Sequence, residues 1–394
     1  MSLYAQHGYG KGSKIDKAIN SNDISGVIIS PKAESPDKVL AFTEDLEQNY
    51  PHIRILFDPQ FHAFNLQGEI NPGKLIQYPY YRNNLTRAHL SVPSNIKKFT
   101  EDVLNFQRSI IVDDLISPTI SFDDFNARES QIAISLAYES IEATDAENEL
   151  LVSLCINENA FTNKSAMDDF LNVISLLDVK GFYIIVERTS TEKLTFIKDN
   201  ILTNIIRFIY VLSTLNNYDV VMGYSDMLSI PLAIAGNIQF SCGWHNNLKG
   251  FSSSIFRPSS GGRRPRKRYT SAKLLNSILL VPELATLNRM KISSEILSNS
   301  PFDSLVYPVI NDTAWTDEVI CLHNWYVINK LLTEIEQEDS ISDKIDLVIN
   351  KIQVAQNYYR IINERIPSLD TKSNNSHLNY WLSAIKDFRK QIGM

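Results

Sequence analysis

Val220-Val221-Met222-Gly223 and Ile238-Gln239-Phe240-Ser241-Cys242, separated by a short helical interval at 226–234, are two apolar strands in quick succession. Neither alternates with polar residues, as expected where parallel strands are buried on both faces. A Ser- and Gly-rich segment follows and leads into Arg263, Arg264, Arg266, Lys267 and Arg268. Of 38 basic side chains, seven lie between Arg257 and Lys273 with no acidic residue among them, whereas all 45 acidic side chains lie elsewhere. Fixed positive charge just beyond the ends of barrel-type strands points to a phosphate-bearing substrate.

Working outward, the same strand-then-helix unit recurs. Strands are expected at Gly26–Ser30, Ile53–Phe57, Ser109–Val112, Pro118–Phe122, Leu150–Ile156 and Gly181–Val186, besides the two above. Helices are expected at 36–49, 93–107, 125–142, 164–177, 190–214 and 226–234, with apolar residues at three- and four-residue spacing in the clearest of them. Seven or eight such repeats predict an α/β fold, a (β/α)8 TIM-type barrel, rather than an open doubly wound sheet. No G-x-G-x-x-G follows the first expected strand, which argues against a dinucleotide-binding sheet. From about residue 320 the strands stop, and Val319–Gln337, Ser342–Arg365 and Ser376–Ile392 read as three helices. The expected organisation is therefore a barrel domain at 1–320 with a basic loop at 252–273, and a C-terminal helical extension at 321–394 packed on the barrel. The middle helix carries Ile345, Val348, Ile349, Ile352, Ala355, Tyr359 and Ile362 as one stripe, whose default use is core packing, with a homo-oligomer or complex interface as the alternative.

Composition sets limits on function. The 394 residues are 44% hydrophobic and 21% charged, ordinary for a folded domain, with a formal net charge of −7. That acidity excludes nonspecific coating of DNA and leaves nucleic-acid contact to a patch. No run of about 18 apolar residues and no signal-peptide core is present, so no membrane contact is expected. The three cysteines, at 155, 242 and 321, are far apart and predict a reducing, cytoplasmic setting.

In a barrel the chemistry sits where strands end. Asp58 follows the Ile53–Phe57 strand, Asp123 and Asp124 follow Pro118–Phe122, Glu187 follows Gly181–Val186, and Asp226 lies just beyond Gly223. Helix capping is the competing use for each, most clearly for Asp226 in Tyr224-Ser225-Asp226.

The order of these motifs resembles the tRNA-guanine transglycosylase superfamily, barrel enzymes that exchange guanine for a 7-deazaguanine. Ile55-Leu56-Phe57-Asp58 is similar to the family's strand ending in an acid/base aspartate, and Phe122-Asp123-Asp124 to its Phe-Asp-Glu, where the aspartate grips the purine. Gly181-Phe182-Tyr183 falls where the family has the Gly-Tyr opening the strand that grips the base. Met222-Gly223, Gly236 and Phe240-Ser241-Cys242 resemble its Met-Gly, helix, Gly, Phe-Asp-Cys succession, and His323-Asn324 its late His-Asn pair. The likeness spans about residues 50–330 and implies base exchange on nucleic acid. It casts Asp58 as the acid/base, Asp123 with Asp124 and Gly181 as base-binding, and position 241 as the nucleophile.

Two departures stand out. Serine occupies 241, where the family has a nucleophilic aspartate, and a serine needs a base to activate it. Asp226, Asp124 and Glu187 are the nearest carboxylate substitutes. The family's C-x-C-x-x-C zinc cluster is also absent. Cys242, His245, Cys321 and His323 would form a four-ligand zinc site only if the fold joined residues about 80 apart, so no cofactor is expected and the cysteines read as core.

The basic run interleaves Gly261, Gly262, Pro265 and Tyr269 and is preceded by Trp244, His245, Asn246 and Asn247. Arg263, Arg264, Arg266, Lys267 and Arg268 are expected to hold phosphates, and Trp244 and His245 to stack on or hydrogen-bond a base. The expected function is guanine transglycosylase-like base exchange on nucleic acid, DNA slightly favoured over tRNA, with guanine or 7-deazaguanine as the base. The alternatives are a non-catalytic nucleic-acid-binding barrel subunit that has lost the nucleophile, and a barrel enzyme acting on a phosphorylated small molecule.

Overall fold

The computed structural model describes residues 1–144, 149–258, 261, 265–366 and 368–394. Strand and helix alternate from the second residue: β1 (Ser2–Gln6), α1 (Lys14–Asn20), β2 (Gly26–Ile29), α2 (Pro36–Asn49), β3 (Arg54–Phe57) and α3 (Pro93–Arg108). Then come β4 (Leu115–Ile116), β5 (Ser121–Phe122), α4 (Arg128–Glu142), β6 (Leu150–Asn157), α5 (Lys164–Ile174), β7 (Gly181–Glu187) and α6 (Asp199–Tyr210). The two apolar strands at 220–242 are β8 (Asp219–Gly223) and β9 (Gln239–Cys242), with the one-turn helix α7 (Ser229–Leu232) between them.

All of these strands pair in parallel, in the order β3-β2-β1-β9-β8-β7-β6-β4, and β5 continues the β4 stave alongside β6. That is a barrel of eight parallel staves. Between β3 and β4 no ladder forms, but the Asp113 N–H donates to the Ile55 carbonyl at 2.9 Å, and the Asp113 carboxylate accepts from the Ile55 N–H. The ring is thereby nearly closed, as the repeat of buried apolar strands requires. Val27, Ile28, Leu56, Val152, Phe182, Val220 and Phe240 are fully buried.

Neither β1 nor α1 is among the elements expected from the sequence, and Ser109–Val112 is not a strand. The chain leaves α3 at Ser109, and the stave forms a few residues later at Leu115 and Ile116. Helix α6 starts at Asp199 rather than at 190, because Arg188 and the following loop are tied to Glu158.

An insertion separates β9 from the next long helix. It carries the antiparallel hairpin β10 (Arg268–Ser271) and β11 (Asn276–Leu279) and the short helix α8 (Ala285–Arg289). Helix α9 (Asp317–Glu336) lies against α1, β1 and β10. Helix α10 (Ile341–Arg365) buries its expected stripe, except for the half-buried Ile349, against α9, α11 (Ser376–Gln391) and the chain just before β9, and α11 packs on α6. Among the described residues no helix is long and apolar enough to cross a membrane.

The N-terminal mouth of the barrel is closed by charge. Arg54 pairs with Asp114 and Asp219 at 2.6 Å each, and Lys180 with Asp114 at 2.7 Å. The candidate chemistry lies at the other mouth.

Candidate functional site

Asp58 leaves β3 at the C-terminal mouth, its N–H still bonded to the Ile29 carbonyl at 3.0 Å. Its side chain is 1% exposed and points at residues from the far side of the barrel. One oxygen accepts from the Gln60 N–H at 3.0 Å, and the other faces the hydroxyls of Tyr183 on β7 at 3.3 Å and Tyr224 beyond β8 at 3.4 Å. Burial pushes the Asp58 carboxyl up to about 6, against the pull of those three donors. Gly223 makes this arrangement fit. A Cβ there would lie 2.9 Å from the Tyr183 hydroxyl, which is a local reason for glycine after Met222.

Backbone strain gathers at the same place. Gln60, Tyr224 and Asp226 have φ of 51°, 55° and 42°, a left-handed region that residues with a Cβ enter at a cost. Two of the three are partners of Asp58.

Glu187 ends β7 in the same mouth. It accepts from the Ser121 hydroxyl and, at 3.2 Å, from the Ser253 N–H. Asp58 and Glu187 both act on the buried Cys155 thiol, which burial first and their charges next push well up. Among the described residues neither carboxylate has a cation within ion-pair distance, whereas Asp114 has two and Glu158 and Asp226 have one each. His62 completes the lining with an unpartnered Nε2, and burial pushes its pKa down to about 4. It packs edge-on to Phe251 at 5.0 Å and Phe256 at 5.8 Å, and Phe251 also covers Tyr224 at 5.3 Å. The segment at 251–256 therefore roofs the mouth.

The remaining expected residues separate into groups. Ser241 is fully buried and donates to Gln6 at 2.7 Å while accepting from the Tyr224 N–H at 3.0 Å, so its hydroxyl braces the strained turn that carries Tyr224. Successive strand residues face opposite sides, so Cys242 points away from the barrel interior. Asp226 goes with it, accepting from the Cys242 thiol at 3.1 Å and the Asn324 amide at 3.0 Å and pairing with Lys249 at 3.5 Å. It is not brought to Asp58. Asp123 and Asp124 are exposed, and Asp124 bonds the Asn126 N–H at 2.9 Å. Gly181 opens β7 at the N-terminal mouth, beside Asp219. His323 lies against Tyr269, the ring centres 4.5 Å apart and the planes tilted by 33°, with its ring nitrogens 3.0 Å from the Ser300 hydroxyl and 2.8 Å from the Thr270 carbonyl. With both nitrogens so engaged, it does not join Cys242, His245 and Cys321 in a four-ligand set.

Trp244, His245, Arg266, Lys267 and Arg268 do converge. With Lys14 and Lys249, which carry no such signal in the sequence, they line a cavity of about 490 Å3 beside the start of α9. Arg263 and Arg264 lie outside the described residues. Several of the cations are already engaged: Arg266 and Arg268 both pair with Asp370, and Lys267 with Asp312 at 3.3 Å. Lys14 donates to the Gly10 carbonyl at 2.7 Å and stands 5.5 Å over the Trp244 ring. Glu187 was legible as an acid at a strand end. His62, Gln60 and Lys249 gave no signal, because only the closed barrel defines their partners. Set against models of known protein families and against curated proteins, the chain matches none.

Proposed function

We propose that the chain carries out guanine transglycosylase-like base exchange on nucleic acid, using Asp58 and Glu187 in the C-terminal mouth. The observation that carries this reading is a pair of buried carboxylates, without cationic partners among the described residues, at the end of the barrel where such folds do chemistry. A buried carboxylate that has hydrogen bonds but no cation beside it is costly to keep for structure alone.

Breaking an N-glycosidic bond sends the bonding electrons into the departing base and leaves positive charge on the sugar. Asp58, whose carboxyl burial raises to about 6, delivers one proton to the leaving guanine and takes one back from the incoming base as the new bond to the anomeric carbon forms. Glu187 supplies negative charge to the sugar in between, in the role for which the family uses an aspartate at the position of Ser241. Tyr183, Tyr224 and Gln60 offer the polar contacts for a flipped base. For a nucleotide to enter, the segment at 251–256 must lift. The test is incubation with labelled guanine or labelled 7-deazaguanine and either tRNA or duplex DNA, with incorporation as the expected result.

One observation favours the non-catalytic alternative, a nucleic-acid-binding subunit. Asp58 is covered, and Ser241 is committed to bracing Tyr224. Binding to both nucleic acids without incorporation into either would select that reading.

Both readings use the basic cavity. Replacing Lys14, Arg266 and Lys267 with Gln is expected to weaken binding and to flatten its salt dependence by about one unit of slope for each phosphate left without its cation. Asp370→Asn is expected to act the opposite way, tightening binding by freeing Arg266 and Arg268. Salt titrations of affinity check both, and an unchanged slope in the triple variant would remove the cavity from the interface.

A further inference from the structure

Gln6 ends β1, is fully buried, and turns its side chain into the barrel among the partners of Asp58. An amide has two ends of nearly the same shape, so its neighbours decide which end accepts and which donates. Here the deciding group is the Tyr224 N–H, a backbone donor that cannot reverse its role. It donates to the Ser241 hydroxyl oxygen at 3.0 Å, and the Ser241 proton goes on to the Gln6 oxygen at 2.7 Å. The Gln6 nitrogen is left to donate, to the Ser30 hydroxyl at 3.2 Å and to the Tyr183 hydroxyl. With the amide turned the other way, the buried Ser241 proton would lose its acceptor, and the Gln6 oxygen would compete with Asp58 for the Tyr183 proton.

We propose that Gln6 is a positioning residue for Asp58: pinned by its oxygen on Ser241, it fixes the direction of the Tyr183 hydroxyl, so that the single proton of that hydroxyl goes to the carboxylate. Tyr183 accepts from Gln6 and donates to Asp58 at 3.3 Å. Tyr224 is oriented twice over. Its hydroxyl accepts from Ser30 and, at 3.4 Å, from Gln60, whose own oxygen is taken by the Lys32 N–H at 3.2 Å. The Tyr224 proton then goes to Asp58 at 3.4 Å. The Tyr183 arm therefore depends on Gln6, whereas the Tyr224 arm has Gln60 behind it as well.

Both arms favour the ionised carboxyl. By holding it at about 6 against the push of burial, they leave Asp58 able to release a proton and recover one near neutral pH. That proton transfer belongs to the base-exchange reading, on which the inference rests in that respect alone. Ser241 gains a use distinct from that of a nucleophile, because its hydroxyl sets the direction of the circuit.

The test is a titration of the Asp58 carboxyl carbon-13 resonance, with the pH limb of base incorporation measured beside it. Gln6→Met fills similar space without an amide. It is expected to move the Asp58 titration to higher pH by about one pH unit, as Tyr183→Phe does, and the two combined are expected to move it no further than either alone. Gln6→Met combined with Tyr224→Phe is expected to move it further than either. Ser225→Ala removes a hydroxyl bonded to the Met222 carbonyl in the same turn and touches neither arm, so it is expected to leave the titration in place. A wild-type titration in Gln6→Met, full additivity with Tyr183→Phe, or an equal shift in Ser225→Ala would each overturn the proposal. If Gln6→Met does not fold, Ser241→Ala decides, since it keeps the amide and removes the donor that orients it. An upward shift there supports the proposal, and an unmoved titration overturns it. The expected shifts in a chain that incorporates no base would leave the circuit standing and defeat the base-exchange reading. Incorporation with a limb that Gln6→Met does not move would do the reverse.

Discussion

Asp58→Asn is expected to reduce base exchange by about 100- to 10,000-fold, the usual worth of a positioned acid/base group, while making the folded chain more stable at neutral pH. The two effects have one origin. The folded state raises the carboxyl from 3.8 to about 6, so the native chain holds its proton more tightly than the unfolded chain does. The penalty is nearly absent below about pH 4, grows as pH rises between the two values, and is complete above about pH 7, where it amounts to about 3 kcal/mol. Asparagine keeps an oxygen for the Gln60 N–H and carries no charge, so the variant escapes the penalty. Urea unfolding of both chains at pH 4 and pH 7.5 should show the advantage of Asp58→Asn growing by about 2 kcal/mol across that interval. Wild-type incorporation should show a limb with an apparent pKa of about 6 that the variant lacks. A variant with wild-type turnover would end the assignment of Asp58. A stability difference that is flat with pH would mean that the buried carboxyl is not strained.

The fold was legible because buried parallel strands leave a local mark. Leu150–Asn157 and Gly181–Glu187 are continuous apolar runs, and helices such as Pro36–Asn49 repeat their apolar residues on one face. The mark fails where an element is short or polar. Leu115–Ile116 is two residues long, so the nearby pair Ile110-Ile111 drew the strand assignment to itself. Strand β1 is hidden beside a Gly- and Lys-rich loop and is defined by its neighbours β2 and β9 rather than by its own pattern.

The site was legible only in part, for a related reason. Asp58 could be singled out because it ends a strand. Its partners Tyr183 and Tyr224 stand 125 and 166 residues away and meet it across the barrel axis. No spacing rule reports that. Facing also escapes a linear reading. Ser241 and Cys242 are adjacent in sequence, yet one braces the interior and the other carries Asp226 outward. The basic run read as free charge because Asp370, which neutralises Arg266 and Arg268, comes about 100 residues later.

Gly181→Ala is expected to be the most damaging single-methyl change in the barrel, at about 3–5 kcal/mol, and its effect should fall on the fold rather than on chemistry. The added Cβ would stand 1.9 Å from the Asp219 carbonyl oxygen and 2.6 Å from its carbon. Both are backbone atoms of the paired strand β8, so no side chain can swing away and the β7–β8 pairing itself must open. Asp219 also holds Arg54, so the displacement reaches the charge cluster that closes the N-terminal mouth, where Asp114 is fully buried and depends on Arg54 and Lys180. Gly223→Ala is the informative contrast. Its Cβ would meet the Tyr183 hydroxyl at 2.9 Å, the end of a side chain that can tilt. That change should cost less stability and instead move Tyr183 off Asp58. Losing that donor removes a pull that holds the carboxyl down, so the limb should move to higher pH and the turnover should fall. Thermal melts and incorporation assays on the two variants separate the outcomes. Equal losses of stability would show that the mouth and the base of the barrel are not mechanically distinct, and would undercut the claim that Gly223 is present for the Asp58 site.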